Sequence, residues 1–525
     1  MKKIVKCTLM VLLAAAMALP TFAGGGSQGG SGGSVGRKQK VTAAIMTFES
    51  LDPFKASGHV IIQIGKALYN PLFCEYGGEV KGVMAKEWKW ADDFNLDVTI
   101  YDYIHDSANN PITADDVVFS YQTWANSTGG AMFGTKLKGI AKTGNYSVRL
   151  TFTEKSYPTF LDNIGAFIVS KKAYEAARNG FNEQPVSTGA YKVTSVKSGV
   201  TVTMEKYDTY WQKDMSLLPE PYKNRVDVVQ YDVINESSQI QTALELGNIQ
   251  CGEVTAPIAD DFAGSKSITV IRVDQKYPSV LMFNMLSGPF KDNLALRQAV
   301  CYAIDVPALA RASTYGKGRQ SYTFGHDSQF GYVKKWDTED YYSQNLDRAR
   351  QLLTQAGYRS GQLKLRYLCN TGEKPSLEAQ IIQADLKKIG IDMEINLIDN
   401  TAYIMSRTAE SGTWDLCYNG LVPKGYWISG IKMQLDGTLY SSGNMMGFRD
   451  DKLQSLLEAA LYNQNDANND ALQQCIKQNA YGYGLEVDYI YYGVHPGIKT
   501  MVFSCDGEIA PQAFVLGPEY NVYAK

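Results

Sequence analysis

PITADDVVFSYQTW, residues 111–124, is the stretch on which the reading of this chain turns. Thr113 stands where it can cap a helix, and Asp116 follows three residues later at the capping-box position. Val117, Tyr121 and Trp124 then recur at helical spacing with Val118 beside them, which predicts a helix that packs one apolar face on a sheet. The adjacent acids Asp115 and Asp116 fall in the first turn, where carboxylates favour the helix dipole and cap free amides. That position accounts for the pair without a catalytic role.

Short motifs flank this helix on both sides. TFESLDPF (47–54) and KALYNPLF (66–73) precede it; STGAYKV (187–193), EKYDTYW (205–211) and FNM (283–285) follow. Further on come ALRQAVCYAID (295–305) and LDRARQLLTQAGY (346–358). In this order and spacing, from about residue 47 to 399, they resemble the extracellular solute-binding proteins of family 5, the peptide- and nickel-binding receptors of ABC transporters. The resemblance implies an α/β fold: a bilobal periplasmic-binding-protein clamp (type II, cluster C-like) with an extra inserted domain. The expected first lobe is discontinuous, over 39–69, 184–275 and 495–525, with the insert at 70–183 and the second lobe at 276–494.

Local patterns independently indicate α/β lobes. Val200, Val202 and Met204 alternate as in a strand, and Ile240, Ala243 and Leu244 mark a helix ended by Gly247. Ser376 is placed to cap a helix bearing Leu377, Ile381 and Leu386 and closed by Gly390; Ile391, Met393, Ile395 and Leu397 then alternate as a strand. Helices followed directly by strands are the α/β signature.

The amino terminus reads as an export signal over 1–23: Lys2, Lys3 and Lys6, an apolar core at 9–19, and a small-residue site ending at Ala23. No cysteine stands at that site, so the expectation is a freely diffusing periplasmic protein. Residues 24–38 form a flexible Gly/Ser-rich tether whose GGGSQG and GGSQG strings match phosphate-loop and hydrolase motifs in letters only, with no strand and helix around them. Cleavage removes three lysines, taking Lys+Arg from 51 to 48 against 54 acids, so the net charge moves from -3 to -6. A mildly acidic chain without a basic stripe lacks the electrostatic term that nucleic-acid binding needs. The seven cysteines left after Cys7, at 74, 251, 301, 369, 417, 475 and 505, are scattered, without zinc-site or framework spacing. His59, His105, His326 and His495 are equally scattered, so no metal or other cofactor is expected.

Aromatic content is the stronger clue to a site. The chain holds 34 Tyr, 19 Phe and 7 Trp, and tyrosine in particular joins a flat apolar face to a hydroxyl, which suits an adaptable cleft. WDLCYNGLVPKGYWIS (414–429) combines a strand-like start with Gly, Pro and aromatics, as a pocket-lining loop would. Tyr418, Asn419, Gly420, Tyr426 and Trp427 are therefore candidate ligand contacts, with Phe48, Glu49 and Asn284 added from the first-strand loop and the FNM motif. In peptide-binding members of the family this loop carries an aspartate for the ligand's amino terminus. Here Asn419 stands in it and no acid follows Asp415 until Asp436, while Glu49 could supply a charge from elsewhere. The leading expectation is a monomeric, non-enzymatic receptor that delivers an oligopeptide or similar oligomer to ABC permease subunits in the inner membrane. An oligosaccharide receptor, with Tyr418, Tyr426 and Trp427 as stacking platforms, is the first alternative. The second is an exported cell-wall or polysaccharide hydrolase, which needs a carboxylate pair across a cleft.

Overall fold

Two mixed sheets, each built around a strand-helix-strand unit, carry the architecture. The computed structural model describes residues 37–524 except 49, 56–58, 78, 128–129, 131–136, 154–165, 178–180, 276, 340, 422–425, 438–445 and 505–506. The expected export signal, all but the last two residues of the tether, and Glu49 lie outside the described residues.

The first sheet has seven strands in the order Tyr191–Lys197, Thr201–Lys206, Val228–Val233, Lys40–Ile45, Cys251–Val254, Tyr489–Val494 and Thr269–Asp274. Lys40–Ile45 lies parallel to Val228–Val233, with Lys40 opposite Val228, and parallel to Cys251–Val254. The helix Ser237–Glu245 makes the crossover that parallel strands require. Gly247, at φ +70°, ends it as the spacing predicts.

The second sheet runs Arg319–Gln320, Tyr483–Val487, Ser279–Phe283, Leu416–Gly420, Leu363–Asn370 and Ile391–Ile398. Its crossover helix is Glu373–Lys387, which begins three residues before the expected cap. Gly372 takes the cap position and Pro375 falls in the first turn, where its missing N–H leaves no intrahelical bond unmade. Ser376 sits inside the helix and donates to the Gly372 carbonyl at 2.7 Å. The inward face comprises Glu378, Ala379, Ile382 and Leu386.

A four-stranded antiparallel sheet, Ala85–Trp90, Asn95–Ile100, Ser147–Phe152 and Leu137–Gly144, receives the helix Ala114–Ala125. The capping box is formed, with the Thr113 amide donating to Asp116 Oδ2 at 2.8 Å. Val117 and Tyr121 are fully buried. Asp116 Oδ1 also accepts from the Lys171 amide at 2.8 Å, while Asp115 points out to Lys142, so both acids are occupied by structure. Leu96, Val98, Val117 and Tyr121 share one apolar cluster with Val41, Val229 and Tyr231 of the seven-stranded sheet. The six-stranded sheet has its own cluster around Leu281, Leu365, Ile391 and Trp414.

The chain passes between the two large sheets after Asp274 and again at Asp488. The second passage departs from expectation. Tyr489–Val494, placed by sequence in the second lobe, is hydrogen-bonded between Cys251–Val254 and Thr269–Asp274 of the first sheet. A single residue separates it from Tyr483–Val487, so no turn signal marks the change of sheet. The two passages are tied together, the Gln275 amide donating to the Asp488 carbonyl at 3.1 Å.

Candidate functional site

A cavity of about 630 Å³ opens at these passages. It meets the first sheet at the carboxyl ends of its parallel strands, through Ala44, Ile45 and Met46 and through Glu253 and Val254. That end is where open α/β sheets bind ligands, and the volume is in the range of small-molecule sites. The passages contribute Asp274, Tyr277 and 488–492, the second lobe Ser313, Tyr315, Glu373 and Lys374, and the C-terminal segment Phe503 and Glu508.

Charge in these walls is one-sided. Five carboxylates, Glu253, Asp274, Glu373, Asp488 and Glu508, face one ammonium, Lys374, among the described residues. Lys374 is already engaged, 2.7 Å from Glu486 and 3.0 Å from Asp488. Burial works against its charge, but Glu486 and Glu378 outweigh burial and raise its pKa. Glu378, fully buried with neither oxygen hydrogen-bonded, has its pKa raised by desolvation and then by Glu486. Glu253 lines the cavity and is solvent-exposed; desolvation by the surrounding protein, with Glu508 second, pushes its carboxyl up to about 7. Tyr315 holds φ at +52°, an uncommon conformation for a bulky residue, while its hydroxyl donates to Glu373 at 2.5 Å. No group of three or more His, Cys, Asp or Glu among the described residues is arranged to hold a metal ion.

A cavity at the crossings between two α/β lobes is the geometry of a solute clamp, and the family comparison agrees. Residues 79–429 match the model for the middle region of bacterial extracellular solute-binding proteins, family 5. The chain belongs to that family. The nickel-binding protein NikA of Staphylococcus aureus is 23% identical over 410 residues, covering 75% of this chain and 77% of the relative. Among solved structures, the oligopeptide-binding protein AppA of Bacillus subtilis with a nonapeptide superposes with a TM-score of 0.77 at 18% identity, over 92% of this chain and 100% of that one. The dipeptide-binding protein of Pseudoalteromonas sp. SM9913 with Met-Leu gives 0.78 at 20%, over 91% and 100%. As a family 5 solute-binding protein this chain is a receptor, not an enzyme, and acts outside the cytoplasm.

The sequence-derived candidates occupy different surroundings in this family 5 chain. Tyr418 and Gly420 stand beside the cavity wall. A Cβ on Gly420 would lie 3.4 Å from the ring of Tyr277, and the Tyr418 hydroxyl is 3.3 Å from Ser279 Oγ. Asn419 is buried, accepting from Arg407 at 3.1 Å and facing Gln434 at 3.4 Å. Trp427 is wholly buried, its ring 4.7 Å from that of Trp336, and Tyr426 packs on Phe330 at 5.3 Å. Asn284 is buried, donating to the Ala409 and Trp414 carbonyls at 3.1 Å and accepting from the Leu286 amide at 3.1 Å. Phe48 lies in the first lobe's core. Asp415, the one acid near the aromatic stretch, is held by both Arg366 Nη2 at 2.8 Å and Nε at 3.1 Å.

Glu253, Asp274, Lys374 and the tyrosines of 489–492 were not among the sequence candidates. The trace in the sequence is a carboxylate at or one residue before the end of each short strand, CGEV and TVIRVD, which reads as ordinary strand termination.

Proposed function

We propose that this chain captures an oligopeptide in the cavity at the crossings and delivers it to a permease of an ABC importer. The observation that carries the reading is the cavity of about 630 Å³ bounded by both lobes and both crossing segments. Closure of the lobes around it buries ligand, as hinge-closing receptors do. The structural relatives crystallised with a nonapeptide and with Met-Leu support peptide as the solute class. Within this reading Tyr277 is a ligand-facing ring, and Tyr418 and Gly420 act behind it by shaping the space in which it packs. Trp427, Asn419, Asn284 and Phe48 serve packing. Native mass spectrometry of the freshly purified protein, followed by denaturation and identification of released molecules, tests the proposal. A set of peptide masses is the expected result; a hexose or pentose series overturns it in favour of the sugar.

A further inference from the structure

The walls of the cavity also say what kind of solute they suit. Among the described residues Glu253 has no side-chain hydrogen-bond or ion-pair partner, and neither has Asp274; both line the cavity. The other wall acids differ: Glu373 accepts from Tyr315, Asp488 is paired with Lys374, and Glu508 accepts from Gln63. Among the described residues the one ammonium in the lining is therefore spent on the protein's own acids, and no second cation of the lining balances Glu253 and Asp274. Tyrosine rings, at 277, 315, 489, 491 and 492, make up most of the aromatic lining. Their faces attract cations. Tyr491, more than nine-tenths buried in the same wall, has a hydroxyl without a partner. An unpaired carboxylate beside others of its own sign gains from an opposite charge, and a bound cation supplies one.

We propose that the cavity selects solutes carrying positive charge, with Glu253 as the principal countercharge and Asp274 as the second. This rests on the reading of the cavity as the solute site and names the chemistry of its ligand: an ammonium or guanidinium group set against Glu253 among tyrosine rings. A basic oligopeptide satisfies both this charge requirement and the peptide reading.

The proposal also fixes the sign of a pH effect. The groups facing Glu253 are Glu508 from the C-terminal segment, Tyr277 from the first passage and Tyr492 from the second, with Lys374 beyond Tyr277. Its carboxyl is pushed up to about 7, and a cationic solute favours the ionised form. Affinity for a lysine-rich solute therefore rises between pH 6 and pH 8.

The test is calorimetric titration of the mature protein, stripped of carried-over ligand by unfolding and refolding, with trilysine, trialanine, triglutamate and spermidine. The expected result is trilysine at least tenfold tighter than trialanine, triglutamate weakest, and a preference that Glu253→Gln reduces by about tenfold and Asp274→Asn by less. Glu253→Gln also flattens the pH profile, which a merely structural role would not do. Circular dichroism and thermal melts confirm that each variant is folded. Equal binding of trialanine and trilysine, or an unchanged ratio in both variants, overturns the charge proposal while leaving the peptide reading in place. Spermidine binding that depends on Glu253, with no binding of any tripeptide, upholds the charge proposal and sinks the peptide one.

Discussion

Two aromatic regions of this molecule look alike as sequence and are opposite as structure. The stretch 414–429 contributes Trp414 and Trp427, both with no exposed surface, to the core of the second lobe. The stretch 489–492, with three tyrosines in four residues, lines the cavity at the passage between lobes. What separates them is the partner each meets. Trp427 finds Trp336 and a glycine, Gly325, whose Cβ would come within 2.1 Å of its indole ring. The crossing tyrosines find unpaired carboxylates and open volume. Aromatic richness marks a place that needs large flat surfaces, and topology alone decides whether these face protein or solute.

The sharpest way to break the comparison is Trp427→Ala. If the indole is packing, its removal costs about 3–5 kcal/mol of stability, as for other buried aromatics, and the folded fraction keeps its solute affinity. Thermal melts paired with calorimetry check this; a loss of affinity with an unchanged melt would move Trp427 into the site. Lys374→Met comes next. It leaves the fully buried Glu486 and the nearby Asp488 without their cation. Breaking a buried pair from one side costs about 3–5 kcal/mol, tempered here by protonation of the acids left behind, so the loss is greater at pH 8 than at pH 5. Denaturant titrations at the two pH values measure it.

Glu378→Gln should act the other way. Glu378 is pushed up by burial, so the folded state holds a proton that the unfolded chain releases at ordinary carboxylate pH. Its contribution is then favourable below the unfolded value and is lost as pH rises through the folded one. The glutamine variant, which has no carboxylate to ionise, gains on the parent progressively as pH rises from 5 to 8 and no further above that. A pH series of melting temperatures that runs parallel for the two proteins contradicts this.

Local signals made part of this legible beforehand. The helix Ala114–Ala125 needed only its cap and its apolar spacing, and both operate within a few residues. The alternation at 391–398 likewise gave a strand directly. The site did not become legible this way, since Glu253, Asp274, Lys374 and the tyrosines of 489–492 lie far apart in the chain and only the sheet order assembles them. The passage at Asp488 was hidden because alternation runs through it, one strand ending and the next beginning a residue later in another sheet. Trp427 sits among Gly, Pro and Tyr residues that resemble an exposed loop, and its burial is set by Trp336, distant in sequence. Glu378 was read past because Leu377 and Ile381 mark a helix face one residue away from the one that packing turns inward, which Glu378, Ala379 and Ile382 form.

The smallest expected effect lies at the rim of the same clamp. Lys317 of the second lobe is 3.0 Å from Asp260, at the end of the first-lobe helix Ala256–Asp261, with side chains 37% and 65% exposed. A pair that exposed is worth about 0.2–1 kcal/mol, so its contribution to global stability is slight. Because its partners belong to different lobes, it acts on the arrangement in which the lobes meet. A double-mutant cycle of Lys317→Ala and Asp260→Ala, followed by calorimetry with the retained solute, should give a coupling that corresponds to less than about a fivefold change in affinity. The coupling should shrink toward zero at 1 M salt, where screening acts within about 3 Å. Once the lobes close on solute, the Glu253 countercharge is covered by ligand and screened less than the rim, so its effect should keep more of its size across the same salt range. Equal salt sensitivity at the two places would mean that the cavity is as wet as the rim, and the contrast between a surface latch and an enclosed countercharge would fall.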